Sequence, residues 1–553
     1  MVRNDNVKII PLGGVGEVGK NMIAVEYGNE IIIADCGLAF PEDDMLGVDL
    51  LIPDISYLRR TKKKIVGYVI SHGHEDHIGG LAYILPEINV PIWATPLTRG
   101  LIEGKLREAK LLDKTKMHTF EDGDTVQVGG FTVETFLVSH SIPDAVGLAI
   151  TCGAGTVVYT GDFKFDQTPV DGRVSNFAKM AEIGGKGVLV LLSDCVHVET
   201  PGHTPSEQVV TETFRRIFGR AEGRIIIATF ASLIARIQQS IDVAEEYGRK
   251  VAVVGRSLER NVAIATELGY LRSRPGTLVS LQELGRGDAE KAVLIVTGSQ
   301  GEPTSVLNRI ANKDHRSVKL QEGDTVIVSA TPIPGNETAV SRIINNLFVQ
   351  GAEVIYSAID RVHVSGHASS DELRLMLNIM KPKYAVPIHG ERRHLVMYKK
   401  LAVSVGIPPE NVVLPENGAV MQFGPERGSI VERTPSNLVF VDGVSVGDVD
   451  HVVLRDRQLL SQDGMLLVVL SIDRQTGHLV AGPDFISRGF LYEGEEYRVT
   501  EEARELVRRT FQHDGNIPSE WSWAHRKIKN SLGQLVYQRT GRRPMILPVV
   551  MEV

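Results

Sequence analysis

Cysteine is scarce in this sequence, because its 553 residues include only Cys36, Cys152 and Cys195. The three do not form a CxxC pair and at least one stays unpaired, which argues against the disulfide framework of a secreted protein. Long apolar runs are also missing. No stretch approaches the roughly 18 residues that cross a bilayer, and the polar start MVRNDN lacks the core of a signal peptide. We therefore expect a cytoplasmic protein with no membrane association.

An excess of positive charge is absent as well. The chain carries 60 Lys and Arg against 68 Asp and Glu, a formal net charge of −8. This balance gives no overall attraction to nucleic acid, so any such contact must be local. Basic clusters at 59–64 and 526–543 could provide it, although each is also typical of a solvated face.

The composition is that of a folded soluble protein, with 43% hydrophobic and 23% charged residues. The length predicts about three or four domains. Residues 1–200 contain short β-rich segments between glycine-rich turns, whereas 205–360 alternate amphipathic helices with apolar strands. That alternation predicts βα units and a parallel sheet. A strand follows at 384–388, then a stretch with Gly, Pro and Ser at 424–450, and a final α/β segment.

A glycine-rich segment at 14–19, GVGEVG, satisfies the GxGxxG pattern of dinucleotide sites. The pattern requires a helix directly afterwards. Here MIAVEY, a Gly28-Asn29 turn and IIIAD follow, which predict a β-hairpin. We interpret the glycines as a tight turn beside a functional site rather than as a nucleotide site.

The most informative segment is HGHEDH at 72–77, between an apolar strand and a helix-like stretch. Alternation sends His72 and His74 the same way, and the turn brings Asp76 and His77 to an adjacent position. Neutral imidazole nitrogens and a carboxylate oxygen are suited to zinc. Histidines by chance on a surface would not show this density.

Three further candidates, His140, Asp162 and His389, each follow a predicted strand. Loops at strand ends are where sites are built on a rigid scaffold. Together with the four residues of the motif they make seven potential ligands, too many for one tetrahedral metal. Seven ligands suit two metals that share an anionic bridge, and Asp162 is the natural bridge.

At these seven residues the sequence resembles the metallo-β-lactamase superfamily, which has an HxHxDH motif, a distant histidine, a bridging aspartate and a last histidine. The segment between Asp162 and His389 resembles the β-CASP nucleic-acid-processing branch. Over essentially the whole chain the sequence resembles the bacterial ribonuclease J family. The segments that carry the narrower resemblance are Ser193-Asp194, TGSQGEP at 297–303, NNLF at 345–348, HVSGH at 363–367 and WAHRKIKN at 523–530.

The resemblance implies an α/β fold, in which a metallo-β-lactamase αββα sandwich is interrupted by a β-CASP α/β domain and followed by a small C-terminal α/β domain. The expected division is 1–200 for the first part of the metallo-β-lactamase domain, 201–362 for the β-CASP domain, 363–445 for the second part with a linker, and 446–553 for the C-terminal domain.

The resemblance also implies a function, that of a metal-dependent ribonuclease. Its expected activities are 5′–3′ exonuclease action that favours 5′-monophosphate RNA and endonuclease action on single-stranded RNA, in rRNA processing and mRNA decay. Two Zn²⁺ per chain are implied, with Mn²⁺ as an alternative in the cell. By the same pattern Asp194 is a proton donor and His367 a proton acceptor. Taken alone, Asp194 would be read as a loop or capping residue and His367 as a satisfied polar residue.

Substrate-binding residues implied by the resemblance lie in two segments, one near Ser232 and one in HVSGH. They are Ser232, Leu233, Ile234, His363, Val364, Ser365, Gly366 and His367. The sequence departs from the family in the first segment, where Leu233 and Ala235 replace an expected Asn and His. It departs again at 193–197, where SDCVH stands for SDSTN. Gly47, Asp49 and Asp442 match positions that can carry a structural Ca²⁺.

The resemblance and the apolar run MLLVVL at 465–470 together predict self-association of the last 100 or so residues. We expect a homodimer or homotetramer, within an RNA-degradation complex. Two other functions are compatible with parts of the sequence. A small-molecule metallo-hydrolase would share the ligands but not the long insertion, and a non-catalytic RNA-binding scaffold would have no need of the intact ligand set.

Overall fold

The computed structural model describes residues 6–42, 44–284, 291–302, 304–333, 335–443, 445–447, 451–473, 476, 478–491, 493–512 and 521–553. Pro303, the last residue of the segment at 297–303, lies outside them, as do residues 444 and 448–450 of the stretch at 424–450. The chain divides into two compact units, Met1–Phe40 with Leu50–Val439, and Pro41–Asp49 with Phe440–Val553.

The first unit contains two sheets that share one hydrophobic core. The first is an eight-stranded sheet in which Val7–Gly13 pairs antiparallel with the predicted hairpin Met22–Tyr27/Glu30–Ala34. Glu30–Ala34 then pairs parallel with Lys64–Val69. In spatial order its strands are Gly428–Arg433, Ala419–Phe423, Val7–Gly13, Met22–Tyr27, Glu30–Ala34, Lys64–Val69, Ile92–Ala94 and Met117–Thr119.

The second sheet has six strands and is parallel at one side. Val157–Tyr159 pairs parallel with Val190–Leu192, and Val190–Asp194 pairs parallel with Tyr384–Ile388. The carboxyl ends of these three strands therefore meet at one edge. In spatial order the strands are Tyr384–Ile388, Val190–Asp194, Gly155–Tyr159, Val146–Cys152, Phe131–Leu137 and Thr125–Val128.

The core between these sheets is continuous, since Ile9 and Ile32 of the first sheet and Leu148 and Leu191 of the second belong to one buried cluster. Most residues of these strands are buried, because each sheet is covered on both faces. Helices lie outside the sheets, which makes the arrangement αββα. They are Ser56–Arg60, Glu75–Ile78, Leu81–Ile84, Pro96–Glu108, Phe177–Lys186, Ser370–Met380 and Arg392–Ser404, with 3₁₀ turns at Leu112–Lys114 and Pro409–Asn411.

The middle of the chain forms a separate parallel sheet of six strands with its own core, around buried residues such as Ile226, Leu294 and Val326. This confirms the βα units predicted from the alternating pattern. The strands, in spatial order, are Leu278–Val279, Val251–Val254, Val293–Val296, Ile225–Ala228, Thr325–Val328 and Glu353–Ile355. The helices are Gln208–Arg220, Ile234–Glu246, Arg256–Glu267, Val306–Ala311 and Glu337–Val349.

The predicted helix after the HGHEDH motif is two short helices, Glu75–Ile78 and Leu81–Ile84, separated at Gly79-Gly80. Three short strands complete the first unit, Val15–Gly16, Gly390–Glu391 and Leu50–Ile52, of which the first two pair with each other.

The second unit contains a three-stranded sheet in the order Leu479–Arg488, Met465–Ile472 and Met545–Glu552. The helices Glu493–Gln512 and Trp521–Thr540 cover one face, where Leu466, Val468 and Leu470 are buried. The helix His451–Asp463 and the strands Val439–Asp442 and Ser445–Val446 precede this sheet in the chain. No helix in the described ranges is both long and apolar enough to span a membrane.

Candidate active site

The seven candidate ligands lie together at the edge where the strands end. His72 follows the strand that ends at Val69, His140 follows Leu137, Asp162 follows Tyr159, and His389 follows Ile388 directly. Strand ends in aligned register bring loops from distant parts of the sequence to one place. The glycine turn is beside them, because the Gly14 carbonyl accepts a hydrogen bond from the His389 amide at 2.7 Å.

The seven candidate ligands form two groups of donor atoms that share one carboxylate, and a third group joins the same carboxylate to Asp194 and His367. Within each group the ligand atoms lie within 4.8 Å of one another. The first group is His72, His74, His140 and Asp162, and the second is Asp76, His77, Asp162 and His389.

Apart from Asp162, the donors of the first group are imidazoles. His74 Nδ1 lies 3.2 Å from His72 Nε2 and 3.1 Å from His140 Nε2. Burial lowers the pKa of His74 to about 4 and holds the pKa values of His72 and His140 well below their usual range. A neutral imidazole keeps one nitrogen lone pair, so each of these three rings can offer a donor atom to a cation.

The second group is richer in negative charge. His77 Nε2 lies 3.2 Å from Asp162 Oδ2 and 3.4 Å from Asp76 Oδ2. Burial acts to lower the pKa of His77, but the carboxylates of Asp162, Asp76 and Asp35 outweigh it and raise that pKa well above its usual range. These carboxylates therefore require a positive charge beside them.

Asp162 lies between the groups and is 2% exposed. Its Oδ2 is 3.7 Å from His72 Nε2 and 3.9 Å from His140 Nε2, while Oδ1 is 3.6 Å from His389 Nδ1. Oδ1 is buried and has no hydrogen-bond partner. A buried carboxylate oxygen without a partner is costly unless a cation is bound there. The donor set therefore fits metal ions.

Sequence reasoning missed the residues that hold these ligands, above all Asp35. Its Oδ2 accepts hydrogen bonds from Tyr159 Oη at 2.6 Å and Ser71 Oγ at 2.7 Å, and lies 2.6 Å from His77 Nδ1. This contact fixes the His77 ring so that Nε2 points to Asp162. Asp35 has φ 59°, an uncommon backbone conformation for a non-glycine residue. An acidic residue directly after IIIA was the available signal.

Asn21 is a second such residue. Its Nδ2 donates to the Asp76 carbonyl at 3.1 Å, and its Oδ1 lies 2.9 Å from His389 Nδ1. One amide thus ties together two loops of the second group.

His140 is positioned by the HVSGH segment. The Gly366 carbonyl lies 2.8 Å from His140 Nδ1 and leaves Nε2 to face the cluster. A Cβ at position 366 would lie 2.6 Å from the His140 ring, so only glycine allows this approach. The segment at 363–367 is therefore part of the site.

Asp194 and His367, the predicted proton-transfer pair, are in contact. His367 Nδ1 lies 2.8 Å from Asp194 Oδ2, and the His367 ring is stacked 5.3 Å from that of His389. Burial acts to lower the pKa of His367, but Asp194 and Asp162 outweigh it and raise the pKa to about 9. The two carboxylates therefore favour a protonated His367 imidazole.

The other residues of the HVSGH segment differ in what they offer. Ser365 Oγ accepts a hydrogen bond from the His367 amide at 3.1 Å and lies 3.4 Å from His197 Nε2. Val364 is buried. His363 Nδ1 is buried without a partner, and burial lowers its pKa to about 3, so this ring is neutral.

The segment near Ser232 contributes little polar chemistry. Leu233 and Ile234 are 2% and 0% exposed and begin the helix that ends at Glu246. Their side chains have no polar group for a phosphate. Only Ser232, which is half-buried, has one.

The candidate calcium residues lie in the second unit, where both carboxylates already have partners. Arg457 Nη2 donates to Asp442 Oδ2 at 2.5 Å, and the Gly443 amide donates to Asp49 Oδ2 at 2.7 Å. Gly47 faces the Arg457 guanidinium. Ca²⁺ binds six to eight oxygens, and these residues do not fit it.

Four families match consecutive parts of the chain. Residues 15–228 match the family described as "Metallo-beta-lactamase superfamily", and 222–347 match "Ribonuclease J, beta-CASP domain". Residues 351–415 match "Zn-dependent metallo-hydrolase RNA specificity domain", and 452–553 match "Ribonuclease J C-terminal domain".

Whole proteins are similar as well. A protein of Thermus thermophilus named Ribonuclease J is 44% identical over 559 residues, which cover 99% of this chain and 96% of that protein. Ribonuclease J2 of Bacillus subtilis is 42% identical over 550 residues, 99% of each chain. A solved structure of an Enterococcus faecalis protein of unknown function covers 75% of this chain and 99% of its own, with a TM-score of 0.55 and 18% identity, and shares the fold. On full-length similarity at this level, the chain belongs to the ribonuclease J family.

Proposed function

We propose that the protein is a metal-dependent ribonuclease that degrades RNA from a 5′-monophosphate end and also cuts single-stranded RNA internally. The observation that carries this proposal is the position of Asp162, one buried carboxylate common to two groups of donor atoms. Full-length similarity to proteins named ribonuclease J supports RNA as the substrate.

His72, His74 and His140 would hold one metal, Asp76, His77 and His389 a second, and Asp162 would bridge them. Imidazole and carboxylate donors suit Zn²⁺, and Mn²⁺ can take the same ligands. Two divalent cations bound there would activate water near neutral pH and stabilise the negative charge that develops on the phosphate.

The protein's own residues would orient the RNA and move protons. Asp194 would act as a proton donor and His367 as a proton acceptor, and their side chains lie 2.8 Å apart beside the cluster. No side-chain nucleophile would be required, so the three cysteines are not needed for the reaction. Cys36 and Cys195 are buried, and burial raises the pKa of each thiol well above its usual range.

The 5′ end would be held by the HVSGH segment. Ser365 and the segment's backbone lie next to His140 and His367, so a terminal phosphate bound there would be close to the cluster. Leu233 and Ala235 supply none of the polar groups expected at their positions, so we expect a smaller preference for a monophosphate than in relatives with Asn and His.

The proposed domains are a metallo-β-lactamase domain at 1–200 and 363–445, a β-CASP domain at 201–362 and a C-terminal domain at 446–553. The enzyme would be cytoplasmic. It would form a homodimer or homotetramer within an RNA-degradation complex. The sheet of the second unit supports self-association. Its face opposite the buried residues exposes Ile486, Leu547 and Val549, and the first two flank Leu467 in register. Light scattering on a chain that ends near Val446 tests this, and an unchanged mass per particle would contradict it.

The decisive experiment compares otherwise identical RNAs with 5′-monophosphate, 5′-triphosphate and 5′-hydroxyl ends, with and without a chelator. We expect mononucleotide release that is fastest from the monophosphate, internal cuts in all three RNAs, and loss of both activities with chelator. Elemental analysis should find two metal equivalents per chain. RNA binding without cleavage in the metal-loaded protein would instead indicate a scaffold.

A further inference from the structure

The loop at 41–49 belongs to the second unit, although it lies near the start of the chain. The Asp49 amide donates to the Val441 carbonyl at 2.9 Å, and Asp49 Oδ2 accepts from the Gly443 amide at 2.7 Å. Two carboxylates, Asp49 and Asp442, and the Leu46 carbonyl lie in this part of the second unit. Such a concentration of oxygen atoms requires positive charge.

The positive charge is present in the chain itself. Arg457, on the helix His451–Asp463, donates from Nη2 to Asp442 Oδ2 at 2.5 Å and from Nη1 to the Leu46 carbonyl at 3.1 Å. The side chains of Arg457 and Asp442 are 32% and 29% exposed, so the pair is partly shielded from water. One guanidinium therefore joins a loop carbonyl to a strand-end carboxylate.

Gly47 has no side chain, which leaves room for the Arg457 guanidinium. It has φ +74°, and a Cβ built there would lie 2.8 Å from Arg457 Nη1. Any larger residue would be strained by its backbone and would press on the guanidinium. The position of Arg457 therefore accounts for a glycine at position 47, and a bound calcium ion is not needed to account for it.

We propose that the Arg457 guanidinium takes the place of a structural calcium ion, and that the second unit is held together without calcium. A guanidinium has a fixed positive charge and five donors in one plane, so it can bridge a carbonyl and a carboxylate. Calcium would need six to eight oxygens at 2.3–2.6 Å. The Asp442 oxygen and the Leu46 carbonyl that it would use are hydrogen-bonded to Arg457. The inference concerns the second unit and does not depend on the proposed catalytic function.

Hydrogen exchange of the full-length protein tests this, with zinc held constant and with or without about 5 mM CaCl₂, which exceeds the dissociation constants of weak protein calcium sites. The readout is the exchange of peptides that cover Leu46–Leu50 and Phe440–Asp442. In the unaltered protein we expect the same exchange with and without calcium, and no calcium bound in equilibrium dialysis with ⁴⁵Ca²⁺.

In Arg457→Ala we expect these peptides to exchange about tenfold faster, because hydrogen bonds to a charged group are lost. Calcium should then restore part of the protection, since the freed oxygens can bind it. Arg457→Lys should be intermediate, because one ammonium keeps the charge but not the two-point contact. Arg455→Ala is the matched control, as its side chain on the same helix is 66% exposed.

Three results would overturn the proposal. The first is calcium binding or calcium-dependent protection in the unaltered protein. The second is unchanged exchange in Arg457→Ala, and the third is an exchange rate in that variant that does not respond to calcium. RNA cleavage measured on the same samples reports the catalytic site separately, so a failure there would be distinguishable.

Discussion

The histidine cluster, made of the seven candidate metal ligands, has every polar side chain expected of it, whereas the segment 232–235 lacks the expected Asn and His. In the cluster, seven polar side chains converge. The neighbouring residues Asp35 and Asn21 orient His77 and His389. In the segment, Leu233 and Ile234 are buried in the core and Ala235 has no polar group. In the proposed function, hydrolysis depends on the cluster, whereas recognition of the RNA end depends in part on a segment outside the cluster.

The separation has a physical reason. A metal site fails when one ligand is lost, since coordination geometry and charge depend on all of them. A phosphate is held by several hydrogen bonds, and the loss of one leaves the others in place. We therefore expect substitutions in the cluster to have large effects on RNA cleavage and substitutions in the phosphate-binding segment to have small ones.

The largest effect is expected for Asp162→Asn. The amide removes the anionic bridge while keeping the shape of the side chain, so activity on every RNA should fall about 1,000-fold or more. Metal content should fall below two per chain in elemental analysis. Asp314→Asn is the matched control, because its side chain is 80% exposed. Full activity in Asp162→Asn would refute the two-metal mechanism.

An intermediate effect is expected for Asp35→Asn, which touches no proposed metal. The new amide can accept fewer of the hydrogen bonds from His77, Ser71 and Tyr159. Metal affinity should fall about 10- to 100-fold. Competition with a metal-binding dye measures this directly, and Tyr159→Phe, which removes one of the donors, should lose less. Unchanged metal affinity in Asp35→Asn would show that His77 is oriented by other contacts.

The smallest effect is expected for Ser365→Ala, on the recognition side. Mononucleotide release from 5′-monophosphate RNA should slow about tenfold, the loss of one hydrogen bond to a charged group. Internal cleavage should hardly change, because it needs only that the strand reach the cluster. Ser461→Ala in the second unit is the control. Equal rates on all three kinds of 5′ end, with no effect of Ser365→Ala, would leave an endonuclease without a terminal pocket.

The sequence alone determined the layout of the elements. Short apolar runs located the strands at 225–228 and 384–388. The sequence also identified four of the seven candidate metal ligands, because the HGHEDH motif places them within six residues. Such features are local, and local periodicity and turn chemistry are what a sequence expresses directly.

Only the tertiary structure decided which loops meet. His77 and Asp162 are 85 positions apart and Asp194 and His367 are 173 apart, yet each pair is in contact. In the sequence, Asp35 is an ordinary residue at a strand end and Arg457 an ordinary helix residue. In the structure, Asp35 contacts His77 and Arg457 contacts Asp442. The physical reason is that parallel register at a shared sheet edge, and the packing of a helix against a distant loop, set these contacts, and no spacing along the chain encodes them.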